Sequence, residues 1–556
     1  MSAQHAAGLL AREDTRLTPD LVARYVADGG WRGRTLPTHL REAAAAAPEA
    51  TAVVGYGGPD GRQRISLTYG ELQDLVDRLR AGLAALGVGE GDVVSIMLPN
   101  GPQFAALIWA VLDLGAVYSG IPVSYGARET EFMLRRARAK VLIVPTAYGR
   151  RDDYLAFATG LREDSETLEH VVLLGDTDEA DVTTFAELAS TTSTGPGTGD
   201  DVRADALAHV GFTSGTTGEP KGVMNSHETL DAVLTRWAAH VGDDVLGDGT
   251  VNLVASPVGH HTGFLWGVLL TAHLRATAVF MDRWSPARAA EIVQSEGVTL
   301  MFGAPTFLQD LIAEPTLTPE VAATLRAIVV AGAPIPRSLV PLAAERLDCF
   351  ICPAWGMTEY GIGVSAAPRF LPERVAATDG LPVAGCEVRV LGEDGVPVPA
   401  GAEGELQMTG PGLFLGYLDR PDFTAEAFDG EWLKTGDRAV LDADGFLTLR
   451  GRSKDIVIRG GENIPVIEIE NLLYTHPAVL DAAVVGVPDE RLGERACAVV
   501  VVTPGTQLDL PVISEHLLSQ GLSKHYLPER LEVVEALPKT ASGKVRKTEL
   551  RDQLTS

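Results

Sequence analysis

The chain is poor in cysteine and in basic residues, and it has no long apolar run. Four cysteines in 556 residues exclude a disulfide framework. Two of them, Cys349 and Cys352, form a C-x-x-C inside the apolar run Cys-Phe-Ile-Cys, with no second pair nearby. That context reads as a buried strand rather than zinc or redox chemistry. Lys and Arg number 46 against 74 Asp and Glu, giving a formal net charge of −28. The balance excludes nucleic acid and an anionic membrane as main partners, because both need a basic surface. It leaves open a local cluster of cations holding phosphates. No apolar run reaches the ~18 residues needed to span a bilayer; Asp113 and His273 interrupt the best candidates. The opening Met-Ser-Ala-Gln-His lacks the basic-then-apolar pattern of a secretory leader. The closing Gln-Leu-Thr-Ser is not a peroxisomal address. A cytoplasmic location is expected.

What is present is ordinary globular material: 46% hydrophobic and 22% charged residues, enough for a large core. Residues 1–35 read as a loosely attached lead-in. Beyond them short apolar strands alternate with helical patterns. Val93–Leu98, Lys140–Val144, Val171–Leu174, Val251–Ala255, Ala278–Met281, Thr299–Phe302 and Ile328–Val330 read as buried strands. Gln103–Leu114 and Pro286–Glu296 read as helices. The alternation implies an α/β fold with largely parallel sheets. After about residue 380, turn signals at Gly392–Gly395 and Asp442–Gly445 mark a smaller β-rich unit. A large domain over 36–450 and a small α+β domain over 451–556 are expected. No internal repeat is visible.

The most informative stretch is Thr213-Ser-Gly-Thr-Thr-Gly-Glu-Pro-Lys-Gly222. Its glycines let the backbone turn sharply and approach a ligand. Hydroxyls from Thr213, Ser214, Thr216 and Thr217, with free N–H groups around Gly215 and Gly218, can surround phosphate oxygens, and Lys221 adds charge. The G-x4-G-K-[ST] spacing of a Walker loop is absent.

This loop closely resembles the phosphate-binding signature of the AMP-forming acyl and aryl adenylating enzymes. Six further segments resemble that family in its order. Trp355-Gly-Met-Thr-Glu359 resembles its second signature; the resemblance gives Thr358 the α-phosphate, Glu359 a share in holding Mg²⁺, and Trp355 a place near nucleotide or substrate. Ala331-Gly-Ala-Pro334 resembles the segment passing the adenine, so Gly332, Ala333 and Pro334 belong to the nucleotide site. Lys434-Thr-Gly-Asp437 resembles the ribose clamp, with Asp437 as acceptor. In Gly451-Arg-Ser-Lys-Asp455, Arg452 matches the arginine reaching ribose and phosphate, and Lys454 falls at the hinge between domains. Gly460-Gly-Glu-Asn-Ile464 resembles the loop entering the site after the small domain rotates, with Gly461 lining a pantetheine tunnel. Pro538-Lys-Thr-Ala-Ser-Gly-Lys544 resembles the terminal motif, whose lysine, here Lys544, bridges carboxylate and α-phosphate. The implied fold is a large N-terminal domain of two doubly wound α/β subdomains plus a barrel-like subdomain, followed by a small mobile domain.

Ser256-Pro-Val-Gly-His-His-Thr-Gly263 matches the family segment closing on the substrate carboxylate. His260 stands at the gate. His261 stands where amino-acid-activating relatives carry an acid, so an α-amino acid is disfavoured. Gly303, Ala304, Thr306, Gly332 and Gly361 are small and leave room for a ring or medium chain. Trp31 with Thr35-Leu36, and the Ile464-Pro465 variant, look like ligases for cyclohexanecarboxylate and aryl acids. The resemblance implies ATP, Mg²⁺ and CoA as cofactors and co-substrates, and a small-molecule carboxylate as substrate. An acyl-carrier protein as acceptor, adenylation of nitrite, a non-catalytic sensor and a homodimer all stay open.

Overall fold

The computed structural model describes residues 13–57, 63–149, 151–192, 202–213, 220–452, 457–459, 462–489, 491–540 and 543–555. Two large sheets carry the first four hundred residues. One has nine strands; its parallel centre runs Phe350–Met357, Ala327–Val330, Leu300–Gly303, Val251–Val254, Thr277–Phe280 and Thr51–Gly57. The other has eight; Leu207–Thr213, Val117–Gly120, Val93–Ile96, Ala139–Pro145 and His170–Leu174 pair parallel in that order. Parallel strands are buried on both faces, which is why they read as continuous apolar runs. The Pro286–Glu296 helix shows how local signals set an element. Ser285 accepts from the Arg288 N–H, Pro286 opens the first turn, and Gly297 ends it at φ 65°. Cys352 is buried in the Phe350–Met357 strand, and the cysteines are free thiols.

The turn signals near residues 392 and 442 fall in a five-stranded antiparallel unit. A second five-stranded sheet, built on the long pair Val479–Asp489 and Gly493–Val502, carries the C-terminal segment. No helix among the described residues is long and apolar enough to cross a membrane.

Loose attachment does not describe residues 13–35. Leu17, Leu21, Val22, Tyr25 and Trp31 are buried in one cluster with Val210, Met224 and Leu415. Arg16 donates to the carbonyls of Phe414 (2.8 Å) and Leu413 (3.2 Å), and Trp31 Nε1 to that of Pro411 (2.9 Å). The apolar side chains lie on and beside the Pro19–Ala27 helix and find partners from Val210 to Leu418, far along the chain, so only the tertiary fold reveals the packing.

Candidate active site

Thr213 and Lys221 are cross-strand partners where Leu207–Thr213 pairs antiparallel with Lys221–Ser226. The sheet therefore fixes both ends of the glycine-rich loop. Ser214, Gly215, Thr216, Thr217 and Gly218, and likewise Lys454 and Gly461, lie outside the described residues. The Lys221 ammonium lies 4.8 Å from the Tyr417 ring centre and 4.4 Å from that of Phe423, within cation–π range.

Glu359 follows the end of the Phe350–Met357 strand and is buried. Burial raises its pKa; the hydrogen bond from Tyr417, whose hydroxyl is 2.9 Å from Oε1, acts against that rise. Among the described residues no group of three or more His, Cys, Asp or Glu forms a metal cage. A buried carboxylate within electrostatic reach of Lys221 suits a hard divalent cation that takes its other ligands from phosphate and water.

Antiparallel register sets Asp437 opposite Arg452. Arg452 Nε donates to Asp437 Oδ1 at 3.0 Å, and Trp355 Nε1 donates to Oδ2 at 3.0 Å. Burial raises the Asp437 pKa, while Arg452 and the indole pull it back. Each carboxylate oxygen keeps a lone pair for a further donor such as a ribose hydroxyl.

Between these groups and the nine-stranded sheet lies a cleft that opens to solvent. His260, His261, Gly303, Ala304, Gly332, Thr358, Gly361 and Lys544 line it, so the structure brings these expected residues together. Lys544 arrives from the C-terminal segment. A side chain on Gly332 would meet its Cε, and one on Gly543 would collide with Thr306 Oγ1. The C-terminal loop thus sits directly on the cleft wall. Lys544 keeps contact with solvent, yet the surrounding protein lowers its pKa, first by desolvation and then through Arg452, while Asp437 and Glu359 oppose the shift.

Burial, then the Lys544 charge, lowers His260 to about 4; burial, then His260, lowers His261 to about 3. Both are neutral imidazoles at neutral pH. Gly361 holds φ 90°, and a Cβ there would come within 2.8 Å of Val233 Cγ1; glycine is required. Ala333 and Pro334 continue the turn after Ala327–Val330, and Gly332 in that turn meets Lys544.

Sequence reasoning missed several wall residues. Trp266 and Phe302 line the cleft and stack at 5.3 Å with 6° between planes. They read as core because they are core on their other sides. A π-helix over Gly263–Leu269, directly after the histidine pair, carries Trp266. Tyr417 was missed because a Gly-Tyr pair outside a long strand carries no chemical signal of its own.

Residues 40–418 match the model of the AMP-binding enzyme family, and residues 468–544 match the AMP-binding enzyme C-terminal domain. A medium-chain fatty-acid–CoA ligase from Escherichia coli is 32% identical over 534 residues, 96% of this chain and 92% of that protein. A salicyl-AMP ligase / salicyl-S-ArCP synthetase from Mycobacterium tuberculosis is 34% identical over 96% of this chain and 93% of its own length. The structure of ATP-bound MatB from Rhodopseudomonas palustris superposes with a TM-score of 0.82 at 26% identity, covering 94% of this chain and 99% of that one. With both domain models matched in order and relatives aligned along nearly the whole chain, this protein belongs to the AMP-binding enzyme family.

Proposed function

We propose that the protein is an AMP-forming acid–CoA ligase for a small carboxylic acid with an uncharged ring or medium-length chain. In the first step a carboxylate oxygen attacks the α-phosphorus of ATP, and the bond to pyrophosphate breaks. In the second the CoA thiol, losing its proton, attacks the acyl carbon and AMP departs. The observation that carries the reading is Lys544, set in the acyl cleft within the electrostatic reach of Glu359, Asp437 and Arg452.

Two anions must meet in the first step, so cations have to offset their repulsion. Lys544 bridges carboxylate and α-phosphate, Thr358 donates to the α-phosphate, and Lys221 with the loop from Thr213 holds the outer phosphates. Asp437 accepts the ribose hydroxyls, with Arg452 beside it, while Gly332, Ala333 and Pro334 flank the base. Glu359 is the carboxylate for Mg²⁺, which when bound offsets charge on the phosphates. Lys454 is the hinge of a small domain over 451–556, and Gly461 lines the path for the pantetheine arm.

The cleft wall supports an uncharged acyl group. Its described lining has no carboxylate to meet an α-ammonium. Both histidines are neutral, so an ionised second acid group meets no cation from them. Trp266 and Phe302 offer stacked aromatic surface, suited to a ring.

The relative named as a salicyl-S-ArCP synthetase supports a second acceptor, the phosphopantetheine of a carrier protein. Supplying the acyl-AMP-forming mixture with either CoA or a holo-carrier protein and weighing the products by mass spectrometry separates the two. Thioester on CoA supports the first reading; thioester only on the carrier replaces it with the second.

A further inference from the structure

Glu359 and Lys221 are the two charged side chains nearest the expected metal and outer phosphates, and one aromatic residue touches both. Tyr417 is buried. Its hydroxyl donates to Glu359 Oε1 at 2.9 Å, while its ring centre lies 4.8 Å from the Lys221 ammonium. The backbone around it is equally constrained. Gly416 and Tyr417 pair with Met224 and Val223, in the same strand that begins at Lys221. The Phe414 N–H donates to the Glu359 carbonyl at 2.7 Å, and the Tyr417 N–H to Thr424 Oγ1 at 2.9 Å. Residues 413–415 are held in turn by Arg16 and Thr15, and Gly416 has φ 153°, with the Asp14 carbonyl where a Cβ would stand.

We propose that Tyr417 is a positioning residue for metal-bound ATP: its hydroxyl orients the Glu359 carboxylate while its ring face seats Lys221. This rests on the adenylating reading above. A buried carboxylate on a strand end would otherwise rotate between several rotamers. With Oε1 occupied by the phenol, the second oxygen is turned in one direction. Lys221 lies against the face of the same side chain and against the Phe423 ring, held by their quadrupoles. The two charges therefore keep a fixed separation before nucleotide arrives, which is the preorganisation a phosphate site needs.

The test uses the full chain, with Mn²⁺ as the metal probe read by electron paramagnetic resonance in the presence of ATP. Tyr417→Phe keeps the ring and removes only the hydroxyl. A hydrogen bond to a charged group is worth roughly a tenfold change in affinity or more. Mn²⁺ is expected to bind the ATP complex about tenfold more weakly in the variant, and Mg²⁺ half-saturation of ATP–pyrophosphate exchange to rise by a similar factor. The KM for the acid is expected to stay at its wild-type value, and the Tm to fall modestly because a buried carboxylate loses a donor. In a Glu359→Ala background, where no side-chain oxygen remains to accept from the hydroxyl, the same change is expected to alter Mn²⁺ affinity no further. Tyr417→Leu, which also removes the ring face, is expected to weaken metal-free ATP binding as well. Unchanged Mn²⁺ affinity in Tyr417→Phe, or a loss spread equally over acid KM, metal dependence and Tm, overturns the proposal. Wild-type protein that exchanges normally, with an unaltered variant, sinks this proposal alone. Wild-type protein that neither exchanges nor holds Mn²⁺ with ATP sinks the adenylating reading and this one with it.

Discussion

Removing the Lys544 ammonium is expected to separate the two half-reactions. Lys544→Ala removes one side chain from the cleft lining, while the backbone at Gly543 stays packed close to Thr306, where no Cβ would fit. What is lost is a cation among Glu359, Asp437 and the incoming phosphate. A charge pair at 4 Å in a medium of effective dielectric about 20 is worth about 4 kcal/mol. Removal of a single transition-state donor elsewhere costs about 2.7–4 kcal/mol, or roughly 10²–10³ in rate. Adenylation, followed by ATP–pyrophosphate exchange, is expected to fall within that range. Thioester formation from supplied acyl-AMP and CoA is expected to stay near wild type, because no anion-on-anion attack remains. Loss of both half-reactions by the same factor would refute the assignment of Lys544 to the first step. A loss of adenylation under tenfold would refute the charge argument. The lowered pKa adds a sign. In the nucleotide-free protein Lys544 is expected to lose its proton below the pH of an ordinary lysine, read by the pH dependence of its acylation by an amine reagent, and bound phosphates are expected to move that pH back up.

Other outcomes follow from the same geometry. Asp437→Asn breaks the ion pair with Arg452 and is expected to raise the KM for ATP about tenfold or more while leaving the acid KM unchanged. Gly361→Ala forces a side chain into φ 90° and against Val233, and is expected to cost about 1–3 kcal/mol in chemical denaturation. His227 and His261 are lowered to about 3, and His260 and His273 to about 4, each chiefly by burial. The unfolded chain binds these protons first, so their contribution is complete above the ordinary histidine pKa of about 6.5 and falls as pH drops toward 4. Glu228, raised to about 7 by burial, and Asp77, Asp113, Glu359 and Asp437, also raised by burial, work in the opposite direction. His209 and His240 are lowered as well, and the histidines, whose unfolded pKa lies inside the window, are expected to set the sign. Tm is expected to fall between pH 7 and pH 5; a flat or rising Tm would count against neutral buried histidines.

Much of the fold was legible because its strands are short, apolar and bounded by turns. The expected helix Pro286–Glu296 appears with those bounds, and the strands expected at Val251–Ala255 and Ile328–Val330 appear as Val251–Val254 and Ala327–Val330. The polar half of the site was legible too, since Lys221, Glu359, Asp437, Arg452 and Lys544 sit in unusual short motifs. The apolar half was not. Trp266 and Phe302 line the cleft, but in sequence they are indistinguishable from core. Residues 13–35 were misread because their anchors, the carbonyls of residues 411–415, are separated from them by almost the whole large domain. Tyr417 escaped because its importance lies in two contacts that no local pattern encodes.

The central claim is acid activation through acyl-AMP. ATP–pyrophosphate exchange against a panel of ring, aryl and medium-chain acids tests it most directly, with CoA added afterwards. The account requires exchange that depends on an acid from that panel and gives way to a thioester when CoA arrives. Exchange with no acid of any kind, under conditions where the protein binds ATP, would contradict it.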